Sequence, residues 1–449
     1  MEVRDASPGY APQAEMPVVP QGYKQTEVGV IPEDWEISTI GNLASIKTGP
    51  FGTLLKASEY SRGDGVPLIS VGEIGSGRFR ISEHTPLVSE AVIRRLPQYV
   101  LKAGDIVFGR KGAVERSALV TEDEDGWFLG SDGISVRPDK KNESRFLAYQ
   151  FQRHETQQWL LQNAVGTTMA SLNQGVLSRT RVVLPPSYDE QRAIATALSD
   201  VDALLEALDR LIAKKRDIKQ ATMQQLLTGQ TRLPGFEGEW ALFNMAKNST
   251  LKARIGWQGL TTAEYLKLGD YGLVTGTDFN DGKVVWEGCY FVEKNRYEQD
   301  KNIQLKPNDV LVTKDGTIGK AAYIDELPFP ATLNSGVFVI RPSNDSYHPK
   351  YFYYVLMSQV FTDFLNKLAA GSTISHLYQK DFVNFEFPAP TSKEEQIAIA
   401  TILSDIDTEL EALHQRRTKT AALKQAMMQE LLTGRTRLVG LQVGAEAGE

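Results

Sequence analysis

The residues best able to do chemistry in this 449-residue chain are few, and their spacing argues against most catalysts. Gly316-Thr-Ile-Gly-Lys320 has the glycines and the lysine of a phosphate-cradling loop, but such a loop needs four residues between its glycines and Ser or Thr after the lysine. Here two residues intervene and Ala321 follows, so the segment reads as a turn. The five histidines, at 84, 154, 348, 376 and 414, lie at no metal-ligand spacing and read as surface or packing residues. Cys289 is the sole cysteine. It leaves neither a disulfide partner nor a thiolate cluster, and suits a packing role in a reducing cytosol. What remains is a pair of glycine-rich loops that carry cations, GRKGAVER at 109–116 and TKDGTIGKA at 313–321.

The elements that must hold those loops are written twice. EQRAIATALSDVDALLEAL at Glu190 to Leu208 returns as EQIAIATILSDIDTELEAL at Glu395 to Leu413, and over 190–233 against 395–438 27 of 44 positions are identical without a gap. A repeat of 205 residues is a duplication of whole domains, not a solenoid. Each copy is announced by prolines, Pro185-Pro186 and Pro388 with Pro390, and by a predicted capping box, Ser187 with Glu190 and Ser392 with Glu395. Ile194, Ala197, Leu198, Val201, Leu204, Leu205, Leu208, Leu211 and Ile212 recur at three- and four-residue steps, which predicts one apolar helix face. With Gly229 and Gly434 as stops, each helix would run about 38 residues, a rod of roughly 57 Å. Acidic residues come first, Asp200, Asp202 and Glu206 in one copy and Asp405, Asp407 and Glu409 in the other; Lys214, Lys215, Arg216, Lys219 and Arg416, Arg417, Lys419, Lys424 come later. Two such helices packed antiparallel set each acidic half against a basic half.

Outside the helices the match thins to a skeleton. Asp105 to Gly112 answers Asp309 to Gly316, Val-Arg-Pro at 136–138 answers Ile-Arg-Pro at 340–342, and Gly166-Thr-Thr-Met answers Gly371-Ser-Thr-Ile. Shared frames with divergent loops fit frames that do one job while the loops select two targets. A pseudo-dimer in one chain suits duplex DNA, which has local two-fold symmetry. The net charge of −7 requires any DNA surface to be local. The start, MEVRDASPGYAPQAEM, lacks the basic and apolar regions of a signal peptide, and no run of about 18 apolar residues predicts a membrane span. The expected divisions are a flexible tail at 1–21, a globular domain at 22–184, a long helix at 185–234, a second domain at 235–387, a second helix at 388–438 and a tail at 439–449.

KQTEVGVIPEDWEI at Lys24 to Ile37, the two EQ-AIA-LS-D-D helices ending in LLTG-TRL, and the two cationic loops together resemble the specificity (S) subunits of type I restriction-modification systems. The resemblance covers nearly the whole chain from about Lys24. It implies an α+β fold: two pseudo-symmetric, globular, mixed α/β target recognition domains separated by two long helices that form an antiparallel coiled coil. It also implies a cytoplasmic, non-catalytic reader of double-stranded DNA, each domain taking one half of a split, asymmetric sequence. Two modification (M) subunits would dock on it and methylate an adenine in each half with S-adenosylmethionine, a cofactor expected on the M subunit and not on this chain; restriction (R) subunits would join later. The other reading is a coiled-coil scaffold without DNA specificity. Enzymatic readings fit poorly, because Pro185-Pro186-Ser187-Tyr188 misfits the Asn/Asp-Pro-Pro-aromatic loop of base-flipping adenine methyltransferases and is explained by the helix cap.

On glycine-rich loops the backbone approaches phosphate closely and short side chains reach base edges. The expected DNA contacts are therefore Lys47, Lys56, Arg110, Lys111, Arg116, Thr167, Thr168 and Asn173 in the first domain. In the second they are Lys314, Thr317, Lys320, Ser372, Thr373, His376, Gln379 and Lys380. Arg or Lys suits guanine, Asn or Gln adenine, and Thr a phosphate or a thymine methyl. Tyr351-Phe-Tyr-Tyr354 could stack bases, but beside Leu356, Val360 and Phe364 it reads as a buried helix.

Overall fold

A computed structural model describes residues 19–61, 63–166, 169–369 and 376–438; most of the expected N-terminal tail and all of 439–449 lie outside them. The chain divides into two units, Met1–Ala207 with Arg417–Glu449, and Leu208–Arg416. Each contains part of each long helix.

In the first unit a four-stranded antiparallel sheet is built from β1 (Ala44–Thr48), β2 (Ile106–Gly109), β3 (Ser117–Leu119) and β4 (Gly133–Pro138), in the order β1-β4-β2-β3. The second unit repeats it with β5 (Ser249–Ala253), β6 (Val310–Thr313), β7 (Ala321–Tyr323) and β8 (Val337–Pro342), in the order β5-β8-β6-β7. The central strands β2 and β6 bury all four residues each and read as continuous apolar runs, as strands covered on both faces do. The strand that leads into each long helix is also paired alike: Arg181–Leu184 lies antiparallel to Glu36–Thr39, and Glu386–Pro390 to Trp240–Asn244.

The first long helix runs Tyr188–Leu227 and the second Lys393–Leu431, about 60 Å each at 1.5 Å per residue. Ser187 Oγ accepts the Glu190 amide at 3.4 Å, and Ser392 Oγ that of Glu395 at 3.2 Å. The expected capping boxes are thus only half used, because both glutamates turn to arginines. Glu190 takes Arg437 through two contacts of 2.6 and 2.9 Å, and Glu395 takes Arg232 at 3.0 and 2.5 Å. Gly229 and Gly434 follow the helices at φ 70° and 73°. A Cβ on Gly434 would meet Pro32 at 2.6 Å, so that stop requires glycine for space as well as for φ, whereas one on Gly229 would meet the Trp240 ring at 3.2 Å and press it only slightly.

The helix face is narrower than the sequence predicts. Ile194, Leu198, Leu208 and Ile212 are buried, with Val201 and Leu205 partly so, but Leu204 and Leu211 are about 40% exposed. The buried line steps by four and three residues, the seam of a coiled coil, and a seam that narrow leaves the flanking leucines outside. The helices run antiparallel within both units. Asp202 pairs with Lys424 at 2.7 Å in the first unit; in the second Lys215 pairs with Glu409 at 2.7 Å and Lys219 with Asp407 at 2.5 Å.

The first core joins Trp35, Phe146, Phe151, Ile194 and Leu198 to Met428, Leu431 and Leu432, and the second joins Met223, Leu226 and Leu227 to Phe352, Phe387, Ile399 and Leu403. Each helix end is thereby sealed into a globular core. Tyr351, Phe352, Tyr353 and Tyr354 are all buried on helix Pro349–Leu356, which removes them as base-stacking residues. Cys289 is buried, and burial, aided by the neighbouring Asp278, pushes its thiol up to about 12. No helix among the described residues is long and apolar enough to cross a membrane.

Candidate nucleic-acid interface

A buried carboxylate fixes the start of each cationic loop. Asp105, just before β2, takes Arg137 of β4 in a two-pronged contact of 2.6 and 2.7 Å and accepts the Lys102 amide at 2.9 Å. Asp309 repeats this with Arg341 at 2.6 and 2.7 Å and the Lys306 amide at 2.8 Å. Hydrogen bonding to Asp105 holds the Arg137 guanidinium above its ordinary pKa. The skeleton match of Asp and Val/Ile-Arg-Pro is this ion pair seen twice. Its role escapes the sequence because the partners are 32 residues apart.

Past β2 the chain turns at Arg110. Its amide donates to Asp132 O at 2.7 Å and its carbonyl accepts from Leu172 at 2.8 Å, while the Gly112 amide donates to Ala170 O at 3.0 Å, so the loop is stitched to Asp132 and to 170–172. The Arg110 guanidinium lies over the Phe51 ring, 4.5 Å from its centroid, and Phe51 is itself 49% exposed. Lys111 is 3.6 Å from Asp132 and faces Ser171 across a short backbone bridge; Gly112, at φ 77°, has open space around it. Asn173 follows directly and caps helix Gln174–Arg179, its Oδ1 accepting from Val176 at 2.9 Å. Its oxygen is therefore occupied, which leaves the amide nitrogen for an outside partner. Arg110, Lys111 and Asn173 come together. The other expected contacts do not join them: Lys47 donates to Gln98 O at 3.1 Å, Lys56 opens the separate turn Ala57–Glu59, and Arg116 lies 3.7 Å from Glu115.

The second unit uses the same stitches with different chemistry. Lys314 stands where Arg110 does: its amide donates to Gly336 O at 2.9 Å and its carbonyl accepts from Leu377 at 2.8 Å. Its ammonium lies over Phe338 at 5.3 Å. His376 Nδ1 meets Asp315 Oδ1, and the imidazole packs against Tyr378, whose ring also carries the Lys380 ammonium at 5.5 Å. Gln379 and Lys380 open the short helix Gln379–Phe382 and are exposed. Thr317 and Lys320 sit exposed on the turn that follows, closed by Thr313 Oγ1 donating to Thr317 O at 2.5 Å and accepting the Lys320 amide at 3.0 Å. Lys314, His376 and Lys380 thus share one patch, and Thr317 and Lys320 border it. Thr167, Thr168, Ser372 and Thr373 lie outside the described residues.

Three residues absent from the sequence list shape these patches: Phe51 under Arg110, Asp132 beside Lys111 and Asp315 beside His376. An exposed aromatic in a Gly-Pro-Phe-Gly turn was the one available sign. Electrostatically the patches differ: the first offers a guanidinium fork backed by an aromatic face, suited to paired acceptors such as guanine O6 and N7. The second offers ammonium groups and an imidazole oriented by a carboxylate, suited to single acceptors and phosphate. Among the described residues no three His, Cys, Asp or Glu side chains gather where they could hold a metal ion.

Comparison with known proteins agrees with this duplication. The family profile described as the type I restriction modification DNA specificity domain matches residues 32–214 and again 259–423. The chain is similar to the candidate MjaX specificity subunit of a type I restriction enzyme from Methanocaldococcus jannaschii, 25% identical over 435 residues, which cover 93% of this chain and 97% of that one. It is similar also to the EcoBI specificity subunit of Escherichia coli, 23% identical over 389 residues, 81% of this chain and 78% of that one. In fold it is similar to the crystal structure of a type I restriction-modification S subunit from M. genitalium, with TM-score 0.59 and 16% identity, covering 88% of this chain and 96% of that one.

Proposed function

Because this chain belongs to the type I restriction modification DNA specificity family, we propose that it is the DNA-reading subunit of such a complex and takes one half of a bipartite, asymmetric duplex target in each unit. The observation that carries this reading is the pair of stitched loops: one frame, presented twice, with a guanidinium on an aromatic at one copy and an ammonium with an imidazole–carboxylate pair at the other. Identical frames give identical approach to the duplex, and unlike tips give unlike base preferences. Specificity subunits of the family are non-catalytic. Methylation of adenine in each half-site, with S-adenosylmethionine, belongs in this reading to two M subunits docked on the chain, and cleavage to R subunits that join them.

The antiparallel helices then act as a ruler. Half-sites read from one side of B-DNA recur about every turn, roughly 34 Å, so a rod of fixed length selects the number of unread base pairs.

The test is methylation-sensitive sequencing of a host genome with and without the gene. Loss of methylated adenines from a single two-part motif is the expected result; methylation without any sequence preference would leave only a scaffold. Exchanging residues 22–184 for the first domain of another family member should alter one half-site alone, and inserting residues between Leu227 and Thr231 should lengthen the spacer. A change in both half-sites, or an unaltered spacer, would overturn the modular and ruler parts of the reading respectively.

A further inference from the structure

A further correspondence between the units lies away from the loops. In the first unit Tyr149, on helix Ser144–Gln152, donates to Asp202 Oδ2 at 2.7 Å and lies 3.3 Å from Ser199 Oγ, both on the first long helix. Asp202 takes Lys424 of the second long helix at 2.7 Å, and the same ammonium sits over the Tyr149 ring at 5.4 Å. In the second unit Tyr354, on helix Pro349–Leu356, donates to Asp407 Oδ2 at 2.9 Å; Asp407 takes Lys219 at 2.5 Å, and that ammonium sits over the Tyr354 ring at 5.9 Å. Each member stands 205 residues from its counterpart, 149 with 354, 202 with 407 and 219 with 424. The roles of the two long helices are exchanged between the copies.

Each cluster ties three elements at one carboxylate: a helix of the globular part and both long helices. Apolar packing beside it is non-directional and tolerates rotation, whereas a charge-assisted hydrogen bond demands a distance and an angle. Both phenols stay protonated donors, because burial pushes them up and the neighbouring aspartate adds to it. No member of either cluster belongs to the loops at 109–116 or 313–321. While the loop tips diverged after duplication, these residues stayed the same in type and geometry.

We propose that the two Tyr-Asp-Lys clamps are positioning devices that hold each reader at a fixed orientation on the helix pair, so that spacer length is enforced at Asp202 and Asp407 as well as by helix length. This rests on the bipartite-target reading above. A ruler measures only if the readers at its ends cannot swivel, and the clamps are where swivelling is prevented.

The experiment uses the full chain with its M partner and a DNA library in which the two half-sites are separated by the native spacer or by one base pair more or fewer. Tyr149→Phe keeps the ring and removes the hydroxyl. It should lower discrimination between native and off-by-one spacers by about tenfold, the weight of one hydrogen bond to a charged group, while base preferences in both halves stay unchanged. Tyr354→Phe and Lys424→Gln should do the same. Leu160→Ala, a cavity in the first core, serves as the purely structural control and should leave the spacer ratio alone. The proposal is overturned if the Phe variants keep the parental ratio, or if they lower methylation equally on every spacer as the control does. A parent chain that supports methylation without a two-part target would sink the functional reading and this inference together.

Discussion

Removing Arg437 should unlock the end of the second long helix. Its guanidinium spans Glu190 at 2.6 and 2.9 Å and Asp34 at 2.8 and 2.9 Å. It also lies over the Trp35 ring at 5.8 Å. The Glu190 side chain is only 2% exposed, so Arg437→Ala strands a buried carboxylate, whereas Asp34, 52% exposed, simply returns to water. Stranding a charge in a dry site costs about 3–5 kcal/mol, and the partial exposure of Arg437 itself, 25%, places this site near the lower end. About 3 kcal/mol is a little over a hundredfold in an opening equilibrium. Hydrogen exchange followed by mass spectrometry reads that locally, and the expected change is a comparable acceleration in peptides covering 188–195 and 428–438. Arg437→Ala combined with Glu190→Gln should recover much of the loss, because the charge is gone. Arg94→Ala, which breaks an exposed pair with Glu90, should change nothing beyond about 0.5 kcal/mol. Unaltered protection at both helix ends in Arg437→Ala, or an Arg94→Ala effect of the same size, would refute the reasoning.

Arg110→Ala should relax one base position of one half-site by about 1–3 kcal/mol and leave the other half-site untouched, as read from the methylated motif of cells carrying the variant. Gly434→Ala and Gly112→Ala both place a side chain at positive φ, but only the first drives a Cβ to 2.6 Å from Pro32. Thermal unfolding should therefore show about 1 kcal/mol lost for Gly112→Ala and clearly more for Gly434→Ala. Tyr149, Tyr351 and Tyr354 have phenols raised by burial, so they bind their protons more tightly folded than unfolded. The stability they contribute is whole below their unfolded pKa of about 10 and is lost as pH rises beyond it; the urea midpoint should fall between pH 9 and 11, and less in Tyr149→Phe with Tyr354→Phe.

The paired helices were legible because one sequence wrote them twice: identical caps, apolar steps and polarised charge at a fixed offset leave little else they could form. The strands β2 and β6 showed in the sequence only as the matched segments Asp105 to Gly112 and Asp309 to Gly316. Legibility failed where a contact joins residues distant in sequence but close in space. Glu190 reads as half of a capping box, yet Arg437, 247 residues later, claims it. Leu204 and Leu211 read as core, because periodicity alone does not tell a three-residue-wide face from a two-residue seam. At the loops the sequence showed residue types but not their neighbours. Asn173 looked like an adenine reader and spends its oxygen on a helix cap, and Lys47, chosen for charge, is turned to Gln98. Phe51 carries no charge to attract notice, but supplies the surface on which Arg110 rests.

The division of the long helices between the units bears on how the chain comes off the ribosome. Leu208–Arg416 is one uninterrupted stretch, so the second unit has all its parts in hand before Arg417 onward, which the first unit needs, is made. The first unit does not: its core needs Met428, Leu431 and Leu432, and Tyr23 donates its hydroxyl to the carbonyl of Gly434, 411 residues away. The first unit is therefore completed after the second, with Trp35 waiting for Leu432 and Glu190 for Arg437, 247 residues later. A chain broken off between Arg416 and Met428 would have its second unit whole, while its first unit still showed water an apolar seat.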